Sequence, residues 1–264
     1  MRFDRLNHLT RFAVVIGDAD RRFLFDSGIG VNIVSPELAE TLGLAQVGET
    51  FGGQRMSGQW VEAPLVYLPP LLVDGQVIVD QVAGVVDLDQ EGSTPRFSGI
   101  LGLTAFATTP VTVDAGTSTI MLGDPGLVAH WVPLDIRTEG PSTDSYAELA
   151  LPSGRAITVE VDTGSGCLIL DASWLERGDA QVSGSIETTT GKDETGYEWV
   201  RRRARLKGEV HFSAAPETLQ ADPMVIFQEI VHDGLIGTDY LDRFRYTVDV
   251  KNARLGLSRL SHQQ

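Results

Sequence analysis

Phe25-Asp26-Ser27-Gly28 and Val161-Asp162-Thr163-Gly164-Ser165 each end an apolar run on an aspartate, a hydroxyl residue and a glycine. Upstream of the first, residues 11–16 alternate in polarity, break at Gly17-Asp18-Ala19-Asp20 and resume over 21–25, which predicts two antiparallel strands joined by a turn. Residues 146–151, the turn Pro152-Ser153-Gly154 and residues 155–161 repeat that pattern before the second triplet. An apolar strand follows each triplet, at 31–34 and 167–170, and leads into a short helix. Ser35 is placed to cap the first helix, Pro36 takes its first position and Gly43 is a left-handed stop; Asp171 and Gly178 cap and stop the second.

The echo continues. Gly99-Ile100-Leu101-Gly102 returns as Gly234-Leu235-Ile236-Gly237, each before a short helical segment, and Val111-Thr112-Val113-Asp114 returns as Tyr246-Thr247-Val248-Asp249. The three offsets are 136, 135 and 135 residues, a register that argues for duplication of one β-rich unit. Random order at this composition gives about 0.3 Asp-Ser/Thr-Gly triplets. The chain has two, in matched contexts. The expected organisation is a first lobe at 1–124, a connection at 125–145 carrying Pro125, Pro133 and Pro141, and a second lobe at 146–264.

The length of 264 residues supports one or two domains with their own cores, and 42% hydrophobic residues with 28 glycines suits a soluble, turn-rich β protein. A net charge of −15 repels phosphate and anionic lipid, so nucleic acid and membrane surfaces are disfavoured as partners. The one basic run, Arg201, Arg202, Arg203, Arg205 and Lys207, reads as the solvated face of a strand. Cys167 is the single cysteine, which excludes an intrachain disulfide framework and fits a reducing compartment. The first ten residues lack the apolar core of a signal peptide, and no apolar run approaches the ~18 residues of a membrane helix, so the expected location is cytoplasmic.

With these motifs the sequence resembles the aspartic peptidases, specifically two retropepsin-like units fused in tandem to imitate the bilobal pepsin arrangement. The resemblance implies an all-β, bilobal fold with pseudo-twofold symmetry and a few short helices. It also implies an aspartic endopeptidase whose catalytic Asp26 and Asp162 face each other across a cleft, with no metal or other cofactor. Two carboxyls about 3 Å apart cannot both ionise, so they share a proton and activate a water between them. Ser27 and Thr163 are expected to bond across the interface, Gly28 and Gly164 to let the backbone approach the carboxylates, and Ser165 to donate its hydroxyl to Asp162. Ile29 occupies the position equivalent to Ser165. A missing donor there raises the carboxylate pKa and implies work nearer neutrality than pepsin's, or else marks a relaxed, inactive site.

Hairpin flaps are expected at 48–60, containing Met56 and Trp60, and at 184–199, containing Gly196 and Tyr197. The first repeat strand starts near residue 11, which leaves no room for an inhibitory prosegment and suggests narrow specificity, such as maturation of one peptide or protein. The expected partner is that substrate, and the duplication makes a monomer sufficient. Other chemistries fit poorly. Asp87-x-Asp89-x-Glu91-Gly92 opens like a calcium loop, but Pro95 and Ser98 stand at later ligand positions. His8, His130, His211, His232 and His262 show no metal-ligand spacing, and Cys167 reads as a buried small hydrophobe. A peptide- or ligand-binding module without turnover, and an acid-base enzyme acting on a small metabolite, are the competing readings of the same fold.

Overall fold

The computed structural model describes residues 1–88, 96–192 and 197–260. Strand Leu9–Ile16 buries Phe12, Val14 and Ile16 and pairs with Ala19–Phe25. Their turn is tighter than expected: Gly17 (φ 58°) and Asp18 (φ 61°) make it alone, and Ala19 and Asp20 are already paired. Two successive positive φ values match the twist of a two-residue hairpin, which explains a glycine and an aspartate there. In the second half Ser142–Ala150 pairs with Ala156–Val161.

Among the described residues each half builds a ten-stranded sheet. The first runs Gln46–Gln54, Trp60–Tyr67, Val82–Val85, Asn32–Val34, Gly99–Leu101, Ala19–Phe25, Leu9–Ile16, Leu71–Val73 and Gln76–Ile78, with Phe3–Leu6 also on Leu9–Ile16. The second runs Val182–Lys192, Glu198–Leu206, Met224–Gln228, Leu168–Asp171, Gly234–Ile236, Ala156–Val161, Ser142–Ala150, Glu209–Phe212 and Ala215–Ala221, with Asp135–Glu139 on Ser142–Ala150. The two orders correspond strand for strand. The fold is therefore all-β and bilobal, with few and short helices.

Helix Pro36–Leu42 has the expected ends, since the Ser35 side chain accepts from the Leu38 amide and Gly43 is left-handed at φ 57°. Asp171 caps Ala172–Glu176, with Gly178 just beyond at φ 77°. The connection 125–145 is not bare loop. It carries His130–Pro133, Asp135–Glu139 and the start of Ser142–Ala150. Pro133 ends a strand there, where its missing N–H removes nothing from the ladder.

A third sheet joins the halves, in the order Thr119–Leu122, Val111–Asp114, Phe244–Asp249, Arg254–Arg259, His130–Pro133. At its centre Thr112 opposes Thr247, both 1% exposed, with their hydroxyls 2.8 Å apart. One apolar core, including Phe25, Phe106, Phe212 and Tyr240, extends through both lobes and this sheet. No helix among the described residues is long and apolar enough to cross a membrane.

Thr112→Val strands the Thr247 hydroxyl in the core and is expected to cost about 1–3 kcal/mol in urea unfolding, while Thr112→Val/Thr247→Val recovers most of that loss. A double variant no more stable than the single ones would show that the pair is not a closed hydrogen bond.

Candidate active site

Asp26 and Asp162 follow the inner strands Ala19–Phe25 and Ala156–Val161. The two Gly-apolar-apolar-Gly steps run parallel to these strands and fix their ends. The Asp26 amide donates to Leu101 O and the Asp162 amide to Ile236 O, each at 3.1 Å. These steps tolerate little side-chain bulk, because a Cβ on Gly237 would lie 2.6 Å from the carbonyl oxygens of Ser165 and Cys167.

The structure brings the two carboxyls, each half-buried, close enough for one to interact with the other. The glycines cross over: a Cβ on Gly28 would sit 2.6 Å from Asp162 Cγ, and one on Gly164 would sit 2.6 Å from Asp26 Cγ. Beneath them Ser27 and Thr163, both fully buried, interlock. The Ser27 amide donates to Thr163 Oγ1 at 2.9 Å and the Thr163 amide to Ser27 Oγ at 3.0 Å. Each hydroxyl then donates to the opposite strand, Ser27 to Val161 O at 2.6 Å and Thr163 to Phe25 O at 3.3 Å.

Asp26 Oδ1 accepts from the Gly28 amide at 2.9 Å, and Asp162 Oδ1 accepts from the amides of Gly164 and Ser165 at 2.8 and 3.1 Å. Ser165 thus supports Asp162 through its backbone. Its hydroxyl does not reach the carboxylate, as the sequence had suggested, but donates to Cys167 O at 3.0 Å, a tight turn that draws it inward. Ile29 instead packs beside the small cluster of Val31, Ile33 and Leu65. Burial raises both carboxyls above the ordinary aspartate range, and the charge of Asp26 raises Asp162 further. Like charges this close hold a proton between them, so the pair titrates as one unit.

The first expected flap is the hairpin of Gln46–Gln54 and Trp60–Tyr67. Its tip reaches the other lobe, where the Val231 amide donates to Met56 O at 2.9 Å. Trp60 is 62% exposed, and its ring covers Gly52 of its own hairpin. The second is Val182–Lys192 with Glu198–Leu206. Tyr197 lies at its end, 37% exposed, and Gly196 falls outside the described residues. In the basic run Arg203, Arg205 and Lys207 are exposed as expected, whereas Arg201 bonds Gln228 at 2.9 Å and stacks on Trp199 and Arg202 pairs with Glu176. Cys167 is half-buried, not buried, and precedes the strand Leu168–Asp171; burial pushes its thiol up to about 11. Asp89, Glu91, Gly92 and Pro95 of the calcium-like stretch, and His262, also lie outside the described residues.

Several neighbours of the dyad escaped sequence reading. His8, in the turn before Leu9–Ile16, donates from Nε2 to Gly164 O at 2.8 Å. The Thr143 amide answers from the other lobe by donating to Gly30 O at 3.1 Å. Glu160 is 5% exposed and within range of the charges of Asp162, Asp144 and Asp26; burial first, then those carboxylates, push it up to about 9. Strand alternation offered the signal, because Glu160 stands two residues before Asp162 and shares its face.

Residues 12–105, which carry Asp26 and the first Gly-apolar-apolar-Gly step, match the protein family described as aspartyl protease. No curated protein matches the chain. The match supports an aspartic protease family, and with it a protease-like hydrolase.

Glu160 keeps its proton in the folded chain from its ordinary 4.5 up to about 9, a window in which the unfolded chain loses it. The native state binds the extra proton there, so stability falls as pH rises through the window and levels off above it. Urea midpoints measured across that range are expected to fall for the wild type relative to Glu160→Gln; parallel curves would contradict a protonated Glu160.

Proposed function

We propose that this protein is an aspartic endopeptidase, two retropepsin-like units in one chain, in which Asp26 and Asp162 hydrolyse a peptide bond through an activated water. The observation that carries the reading is the close pair of half-buried carboxyls, one from each lobe, each packed against the glycine of the other's loop. The ionised member takes a proton from the water as its oxygen attacks the carbonyl carbon, and the protonated member donates to the carbonyl oxygen. The tetrahedral intermediate collapses when a dyad proton passes to the departing nitrogen while a hydroxyl of the intermediate returns its own proton to the pair, which leaves one shared proton in place.

Other features support this reading. The crossed Ser27 and Thr163 bonds fix the separation of the loops, so little reorganisation is needed as charge moves. The hairpin tip at Met56 bridges to Val231 and is suited to cover an extended peptide. Asp26 accepts one amide of its own loop where Asp162 accepts two, which fits a pair that holds its proton toward neutral pH. A cytoplasmic, narrow-specificity maturation role is part of the same proposal, with the peptide or protein substrate as partner and the monomer as working unit.

Asp26→Asn and Asp162→Asn are each expected to lower kcat/KM on a peptide library by about 10²–10⁴-fold or more. Processing that survives either change rejects the shared-proton mechanism, and tight peptide binding without turnover by the wild type points to a binding module. Raised dyad pKa values keep the singly protonated pair populated to higher pH, so activity is expected to extend toward neutrality and decline as pH rises through the upper value of the pair. A strictly acidic optimum in the pH profile of kcat/KM would contradict this.

A further inference from the structure

The two sides of the aspartate pair differ chemically. Two residues before each aspartate, on the same face of its strand, stand Leu24 and Glu160. Their places in the sheets are equivalent: Leu24 pairs with Arg11 and Ile100, and Glu160 with Tyr146 and Leu235. Both are buried, at 2% and 5% exposure. The same geometry thus sets an apolar side chain on one side of the dyad and a carboxyl on the other.

No side chain or backbone amide among the described residues stands at close hydrogen-bond distance from that carboxyl, and the approach of His232 Nε2 at 3.5 Å is too long for a hydrogen bond. Burial, and after it the charge of Arg137, lowers the pKa of that imidazole. Asp144, Asp162 and Asp26 add negative potential at Glu160. Asp144 extends the same patch, since it lies two residues before Tyr146 on the paired strand. Arg137 offsets little of this charge. It is 55% exposed, is paired with Asp135 at 2.8 Å, and lies 4.0 Å over the ring of Tyr146 at the rim. No group of three His, Cys, Asp or Glu among the described residues could hold a metal ion, so a cation on an organic arm fits better. The Glu160 side chain keeps 7% of its surface exposed and its oxygens are not sealed from solvent, so a ligand donor can reach the carboxyl.

We propose that Glu160 forms the floor of a subsite for a cationic side chain, Lys or Arg, on one side of the scissile bond, with an apolar residue received by Leu24 on the other. The proposal rests on the endopeptidase reading and names its substrate class. On binding, Glu160 releases its proton to solvent and its carboxylate accepts hydrogen bonds from the incoming ammonium or guanidinium, with Asp144 adding to the attraction. Selectivity follows because an apolar side chain leaves the carboxyl unpaired.

The test pairs cleavage of a randomised peptide library by the wild type, Glu160→Leu and Glu160→Gln with binding of fluorescent peptides, differing only by lysine or norleucine at one position, to Asp26→Asn protein. Glu160→Leu copies the residue of the first lobe, and Glu160→Gln keeps the shape. The wild type is expected to favour Lys or Arg at one position flanking the cut by about tenfold or more. Both Glu160 variants are expected to lose that preference, and Glu160→Leu to take an apolar residue instead. Cleavage without a cationic preference, or with one that Glu160→Leu retains, overturns the subsite and leaves hydrolysis standing. Lysine-selective binding to Asp26→Asn that Glu160→Leu abolishes, without turnover by the wild type, upholds the subsite and overturns hydrolysis. Neither cleavage nor selective binding overturns both.

Discussion

The crossed hydrogen bonds between Ser27 and Thr163 hold two acidic loops, one from each lobe, at a separation that their charges oppose. Each hydroxyl serves as acceptor for the opposite loop's amide and as donor to the opposite strand, so neither loop can shift without leaving buried polar groups unpaired. Two carboxyls forced this close respond by keeping a proton. The arrangement thus links fold and proposed chemistry directly: its geometry fixes the electrostatics.

The remaining architecture keeps those loops in place. The parallel steps at Gly99–Leu101 and Gly234–Ile236 accept the aspartate amides, and the shared sheet joins the lobes through Val111–Asp114 and Phe244–Asp249. His8 on Gly164 and Thr143 on Gly30 add interlobe contacts around the dyad. Symmetry in the frame makes its departures informative. Asp162 accepts two backbone amides and Asp26 one from their own loops, because Ser165 turns back on Cys167 whereas Ile29 enters an apolar cluster. Leu24 and Glu160 differ more sharply, so the two sides of the aspartate pair are chemically unlike.

Much of this was legible in the chain itself. Alternating apolar residues, the Gly17-Asp18 turn, the Ser35 and Asp171 caps and the recurrence of the two triplets with their glycine steps act over a few residues, through strand pitch, φ preference and local hydrogen bonding. They determined the strands around the dyad, the two helices and the pair of aspartates. Residues 125–145 were harder to read, because their strands depend on partners far away in sequence and prolines at strand ends look like loop. The same is true of Phe3–Leu6, which forms only against Leu9–Ile16.

Only the tertiary structure decided what surrounds the carboxyls. The direction of the Ser165 hydroxyl depends on how closely Cys167 turns back, the reach of the Met56 tip on a loop of the other lobe, and the state of Glu160 on burial among Asp144, His232 and the dyad. Sequence spacing specifies which face of a strand a residue shares. Desolvation and charge depend on everything packed against that face, and those neighbours come from strands scattered along the chain.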